Sequence, residues 1–264
     1  MASLPRGRGH PRRAPDVVRG RTQTVTPESA RSALNEFCWM DLKTRDIPGT
    51  AAFFSTVLGW KFAVDEDDWR RATKIYVDGH QLGGVSDLGN PVYPPGTPAH
   101  IAYYLAVDDV DRRTEAATAN GAQLVLAPFD AGDQGRMATL IDPVGAPFSL
   151  WQASEFSGWA IPPHSHGMPH SMVLACEHPD RARQFYGEML GTALDRADFI
   201  TAYGPEASAP QWELVIAVDD LERVAARARD HGQQSLTGGE HTGPGVLRLS
   251  SPEGLSFPLR LLAP

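Results

Sequence analysis

Phe53-Phe54-Ser55-Thr56-Val57-Leu58-Gly59 recurs as Phe185-Tyr186-Gly187-Glu188-Met189-Leu190-Gly191, 132 residues further on. Leu105-Ala106-Val107-Asp108-Asp109-Val110 recurs as Ile216-Ala217-Val218-Asp219-Asp220-Leu221 at an offset of 111, and Asp142-Pro143-Val144-Gly145 as Ser251-Pro252-Glu253-Gly254 at 109. Three landmarks in one order make an internal repeat, which decides the architecture before any single element does. The offset shrinks by 21 between the first two landmarks. The second copy therefore lacks about two strands' worth of chain between Gly191 and Trp212.

Within the first copy a smaller plan repeats. Phe37–Leu42 alternates as a strand, Arg45-Asp46-Ile47-Pro48 turns, and Gly49–Leu58 carries Ala52, Phe53 and Val57 at helical spacing up to Gly59, a natural C-cap. Ala102–Val107 alternates again. Asp108 or Asp109 can cap a helix over Asp111–Asn120, and short strands follow around Leu124–Leu126, Met137–Ile141 and Phe148–Trp151. The fold class expected is α+β, built from tandem βαβββ modules that form two domains, the second shortened. The domains are expected at 34–153 and 170–264, joined by a Pro/Gly/His-rich linker at 154–169. A ferredoxin-like dimeric barrel also uses short strands and helices, but it does not need a turn of the Asp-Pro-x-Gly kind before each copy's last strand.

Formal net charge is −8 over 264 residues, which argues against nucleic acid as the main partner. Residues 1–26 hold six arginines against Asp16. Rich in Pro and Gly and poor in large apolar side chains, residues 1–33 are expected to form a disordered basic tail without the apolar core of a secretory signal. Cys38 and Cys176 sit in apolar runs, one per copy, and read as buried reduced thiols. No apolar run is long enough to span a bilayer, so no membrane partner is expected and the cytoplasm is the natural compartment.

These landmarks together resemble the vicinal oxygen chelate superfamily, which includes glyoxalase I, extradiol dioxygenases, fosfomycin-resistance enzymes and bleomycin-binding proteins. The matching features are the strand through Asp41-Leu42, then Ala51–Gly59-Trp60, Val107-Asp108-Asp109, Gly135-Arg136-Met137, and Asp142-Pro143-x-Gly145 ahead of Phe148-Ser149-Leu150-Trp151. The likeness covers about residues 34–152 well and 169–263 less well, and is nearest to two-domain actinobacterial proteins loosely labelled hydroxylases. It implies paired modules that wrap a curved sheet around a cleft holding a divalent metal or an organic ligand.

The resemblance also implies where metal ligands would stand. The first-strand position falls on Trp39 or its neighbour Met40, the second on Ala102 and the third on Ser149. An indole, a methyl and a hydroxyl do not replace imidazole and carboxylate, so neither a metal nor any other cofactor is expected. In the second copy the positions fall near Ser171, on Glu213 and on Pro258, a single carboxylate. His164, His166 and His170 cluster in the linker and read as solvated, and His178 and His241 stand alone.

What remains is a small-molecule pocket. Side chains on the Phe37, Trp39 and Asp41 face and on the His100, Ala102 and Tyr104 face should converge on it, joined by Ser149 and Trp151. The expected ligand-binding set is Trp39, Ala102, Tyr104, Arg136, Ser149 and Trp151, with the aromatics stacking on a planar guest. The bland alternatives are core packing for the aromatics and a salt-bridged turn between Asp133 and Arg136. The expected catalytic pair, if there is catalysis, is Asp41 with His100. The expected function is metal-independent binding of a small aromatic or polycyclic molecule, in resistance or secondary metabolism. The alternative is a lyase, isomerase or ring-modifying enzyme of natural-product biosynthesis, using Asp41, His100 or an unrecognised divalent metal. A third reading gives the shortened second copy a purely structural role. Homo-oligomers are common among such modules, and a homodimer is compatible with all three.

Overall fold

The computed structural model describes residues 34–66, 71–160, 165–202, 209–231 and 246–262. The basic tail at 1–33, His164 and His241 lie outside the described residues.

The first half contains two βαβββ units. The first is β1 (Phe37–Thr44), α1 (Ile47–Leu58), β2 (Lys61–Val64), β3 (Thr73–Val77) and β4 (His80–Asp87). The second is β5 (His100–Ala106), α2 (Val110–Ala119), β6 (Gln123–Asp130), β7 (Gly135–Ile141) and β8 (Pro147–Ala153). Together they make one eight-stranded sheet ordered β2-β3-β4-β1-β5-β8-β7-β6. β1 runs parallel to β4 and β5 parallel to β8, while β1 and β5 meet antiparallel at the centre. The sheet is therefore two like units joined about a local two-fold.

Local chemistry accounts for the helix ends. The Asp46 carboxylate accepts from Gly49 N at 2.9 Å, and α1 stops at Gly59, whose φ of +74° is the left-handed conformation that glycine adopts without a Cβ penalty. Asp109, not Asp108, caps α2 by accepting from Arg112 N at 3.0 Å. Asp108 instead pairs with Arg112 and Arg113.

The second half runs β9 (Met168–Cys176), α3 (Pro179–Leu190), β10 (Ala197–Thr201), β11 (Trp212–Val218), α4 (Leu221–Asp230), β12 (Val246–Ser250) and β13 (Ser256–Leu261). Its five-stranded sheet is ordered β10-β9-β11-β13-β12. β10 pairs parallel with β9, as β4 does with β1. Among the described residues, counterparts of β2 and β3 are missing, which is the shortening that the repeat offsets indicate. Cys38 and Cys176 are free and buried.

The two halves share one core, with α1 against α4 and α2 against α3. Phe37 meets Trp212 at 4.7 Å between ring centroids, Trp60 meets Phe257 at 5.3 Å, and Phe148 meets Tyr186 at 5.3 Å. Each copy's repeated turn grips the other copy's first helix. Asp142 accepts from Val144 N and Ala146 N and, at 3.0 Å, from the Tyr186 hydroxyl on α3. Glu253 accepts from the Thr44 and Thr50 hydroxyls and from Arg45 N at the start of α1. The Tyr186 hydroxyl also accepts from Trp212 Nε1 at 2.7 Å, so a relay of buried polar groups crosses the contact. Among the described residues no helix is long and apolar enough to cross a membrane.

Candidate functional site

A cleft of about 450 Å3 opens on the face of the eight-stranded sheet opposite the shared core. Strand alternation supplies its floor. β1 presents Trp39 and Asp41, β5 presents Tyr104, and β8 presents Trp151. The register sets Trp39 beside Tyr104, Tyr104 beside Ser149, and Ala106 beside Trp151, so these side chains form rows across the three central strands.

Aromatic rings make one wall. Phe156 packs edge-on against Trp39 at 4.7 Å and against Trp151 at 6.1 Å, and Tyr104 packs edge-on against Trp151 at 6.2 Å. Phe156 belongs to a segment that folds back over the sheet after β8. Ser154 N and Phe156 N donate to Gln134 O, Trp151 Nε1 donates to Phe156 O at 2.9 Å, and Trp159 N donates to Cys38 O.

The opposite wall is polar. Lys43 Nζ and Ser86 Oγ both donate to Asp41 Oδ2, at 2.6 and 2.7 Å. Lys43 also donates to the Tyr93 hydroxyl at 3.1 Å. Burial alone would push the Lys43 ammonium down, but the neighbouring Asp41 and Tyr104 and the two hydrogen bonds outweigh it and raise its pKa. Burial pushes the Tyr104 phenol up, so it stays a neutral donor. Gly84 of β4 lies opposite Asp41, and a methyl there would stand 3.1 Å from Asp41 Oδ1. Its missing side chain leaves the carboxylate room. Lys74 holds its ammonium 6.0 Å from the Trp39 ring centre.

Four of the expected residues, Trp39, Asp41, Tyr104 and Trp151, line this cleft. Ala102 pairs with Asp41 in the sheet but is not part of the lining. Ser149 is buried, with its hydroxyl 2.9 Å from that of Thr139. Three expectations are corrected. Phe37 does not share the face of Trp39, because the pairing shifts register between them and turns Phe37 into the shared core. Arg136 does not reach the cleft. It binds Asp111 through two hydrogen bonds and Asp130 at 2.9 Å, while Asp133 accepts instead from the Gln134 amide. Asp41 and His100 are not brought together, since Asp41 is engaged by Lys43 and Ser86 and His100 Nδ1 lies 2.9 Å from Pro98 O.

Sequence reasoning missed Lys43, Ser86, Tyr93 and Phe156. Lys43 was within reach, standing two residues beyond Asp41 on the same strand face. Ser86 depends on the parallel β1–β4 pairing, and Tyr93 on the turn segment that follows β4. Phe156 carries no periodic signal at all.

The donor set does not fit a divalent ion. At the positions implied for ligands the first half offers an indole, a methyl and a hydroxyl already paired with Thr139, and no group of three His, Cys, Asp or Glu side chains converges among the described residues. In the second half Glu213 is held by the Arg248 guanidinium. His166 pairs with Asp219 at 2.7 Å, and His170 faces Arg260.

The description "glyoxalase-like domain" is that of the family model matching residues 39–151. CFP32 of Mycobacterium tuberculosis is 28% identical over 251 residues, spanning 86% of this chain and 94% of that protein. The anthracycline biosynthesis protein DnrV of Streptomyces peucetius is 26% identical, over 74% of this chain and 81% of that one. Among solved structures, the Mn(II)-bound glyoxalase of Novosphingobium aromaticivorans superposes with a TM-score of 0.55 at 18% identity, covering 88% of each chain. The 2,2',3-trihydroxybiphenyl 1,2-dioxygenase of Sphingomonas wittichii superposes at 0.58 with 13% identity, over 87% of this chain and 91% of that one. A paired βαβββ sheet around one cleft and a second, shortened copy thus give the chain the two-domain α+β fold of these solved structures, with residues 39–151 similar to the glyoxalase-like domain.

Proposed function

We propose that the cleft of the first half binds a small aromatic or polycyclic organic molecule and does so without a divalent metal. The observation that carries this reading is the replacement of a chelating donor set by a ring-lined wall, Trp39, Tyr104, Trp151 and Phe156, in a cleft of about 450 Å3. That volume lies in the range of small-molecule sites, and the aromatic faces supply contact area at low entropic cost. Two relatives support the guest's class, since DnrV and DauV are both described as anthracycline biosynthesis proteins. On this reading the chain serves secondary metabolism or sequesters a toxic aromatic product.

A ring-modifying enzyme is the competing reading. It draws no support from an Asp41–His100 couple, whose two members have other partners. A thermal-shift screen against tetracyclic hydroxyanthraquinones and simpler polycyclic phenols tests the proposal, because a guest at a hundred times its Kd stabilises the protein by about 2.7 kcal/mol. A rise in Tm with at least one such compound is expected. No rise with any of them, together with one tightly held metal equivalent by elemental analysis, would favour the enzyme.

A further inference from the structure

The aromatic rings explain why a flat guest would enter the cleft, but not the polar groups waiting at its floor. Asp41 spends one oxygen on two donors, with Oδ2 receiving both Lys43 Nζ and Ser86 Oγ. Oδ1 takes no hydrogen bond from any described residue, yet Asp41 lines the cleft with its side chain 14% exposed. The Gly84 backbone opposite keeps the space beside that oxygen open. Tyr104 is Asp41's diagonal neighbour across the β1–β5 pairing and lines the same cleft, and its hydroxyl has no hydrogen-bond partner among the described residues. The floor thus presents a fixed acceptor next to a donor.

Resting on the aromatic-binding reading, we propose that Asp41 and Tyr104 are the specificity-determining pair of this cleft, and that they select guests carrying a neutral ring hydroxyl. Such a group donates to Asp41 Oδ1 and accepts from the Tyr104 hydroxyl, satisfying both at once. A methyl ether accepts from Tyr104 but leaves Asp41 without its donor. A carboxylate sets a second negative charge against Asp41. Lys43 offsets part of that charge through Asp41 Oδ2, but the charged side chains on the described lining are Asp41, Asp65, Asp87 and Lys74, three acids against one cation, so the lining still disfavours a carboxylate. Lys43 is a positioning residue. It holds the Asp41 carboxylate through Oδ2 and the Tyr93 hydroxyl beside it, supporting the polar wall without being among the lining side chains.

Isothermal titration of the full chain with 2-naphthol, 2-methoxynaphthalene and 2-naphthoate at neutral pH tests the pair on one ring system. 2-Naphthol is expected to bind at least tenfold more tightly than either of the others. Asp41→Asn should weaken 2-naphthol, strengthen 2-naphthoate and leave 2-methoxynaphthalene unchanged. Tyr104→Phe, which keeps the ring packing, should weaken 2-naphthol and 2-methoxynaphthalene alike and serves if the Asp41 variant does not fold. Equal affinity for the naphthol and its ether, with neither variant changing it, overturns the selection while leaving aromatic binding intact. Failure of all three naphthalenes to bind removes both.

Discussion

Replacing Tyr186 by Phe removes one oxygen from the contact between the halves and leaves two buried partners stranded. Tyr186 is fully buried, and its hydroxyl donates to Asp142 Oδ2 at 3.0 Å while accepting from Trp212 Nε1 at 2.7 Å. Trp212 is 3% exposed and Asp142 4%, so water does not readily replace the lost oxygen. An unsatisfied buried donor costs about 1–3 kcal/mol, and a hydrogen bond to a charged group contributes about 1.5–3 kcal/mol. The ring stays and no sizeable cavity opens, so the change amounts to about 3 kcal/mol. At roughly 2–4 °C per kcal/mol for a chain of this size, Tm should fall by about 6–12 °C. Calorimetry should still show one cooperative transition, because α1–α4 and α2–α3 bury a common core. A fall below about 3 °C, or a transition that splits in two, would refute the view that Tyr186 helps tie the copies into one folding unit.

Other consequences are smaller or more local. Trp39→Ala removes the ring against Phe156 and should weaken an aromatic guest about tenfold, or ~1.4 kcal/mol by titration calorimetry. Arg136→Ala breaks ion pairs with Asp111 and Asp130 that water and salt screen, so the chemical denaturation midpoint should barely move, and guest affinity should be unchanged. Burial raises the Asp142 pKa against the hydrogen bonds that oppose it. Because the folded value lies above the unfolded one, the carboxyl favours the folded state most below about pH 4, and that contribution is lost as pH climbs through the folded value. Stability relative to Asp142→Asn, read from urea midpoints between pH 4 and 7, should therefore fall as pH rises.

The fold was legible because the repeat survives in residues that carry a local mechanism. Gly59 and Gly191 stop equivalent helices, Asp109 and Asp220 cap equivalent helices, and the paired turns precede the last strands. The 21-residue shrinkage of the offset matches the missing β2–β3 pair among the described residues. The cleft was half legible. Alternation along β1 and β5 placed Trp39, Asp41 and Tyr104 on a common floor. Alternation fails at a register shift, and one such shift turned Phe37 away. Arg136 was misjudged because Asp130 stands opposite it in the β6–β7 pairing and Asp111 reaches it through the packing of α2 beside those strands. Phe156 was invisible because an aperiodic segment's direction is set by backbone bonds to Gln134, which no residue pattern announces.

The central claim is that this cleft recognises its guest by stacking and fit and needs no ion. Titration calorimetry of metal-stripped full-length protein with a tetracyclic hydroxyanthraquinone, in the presence of a strong chelator, tests it most directly. One guest per chain, with an affinity unmoved by adding Mn(II) or Fe(II) in place of the chelator, is the predicted result. Binding that vanishes in chelator and returns with the metal would contradict it.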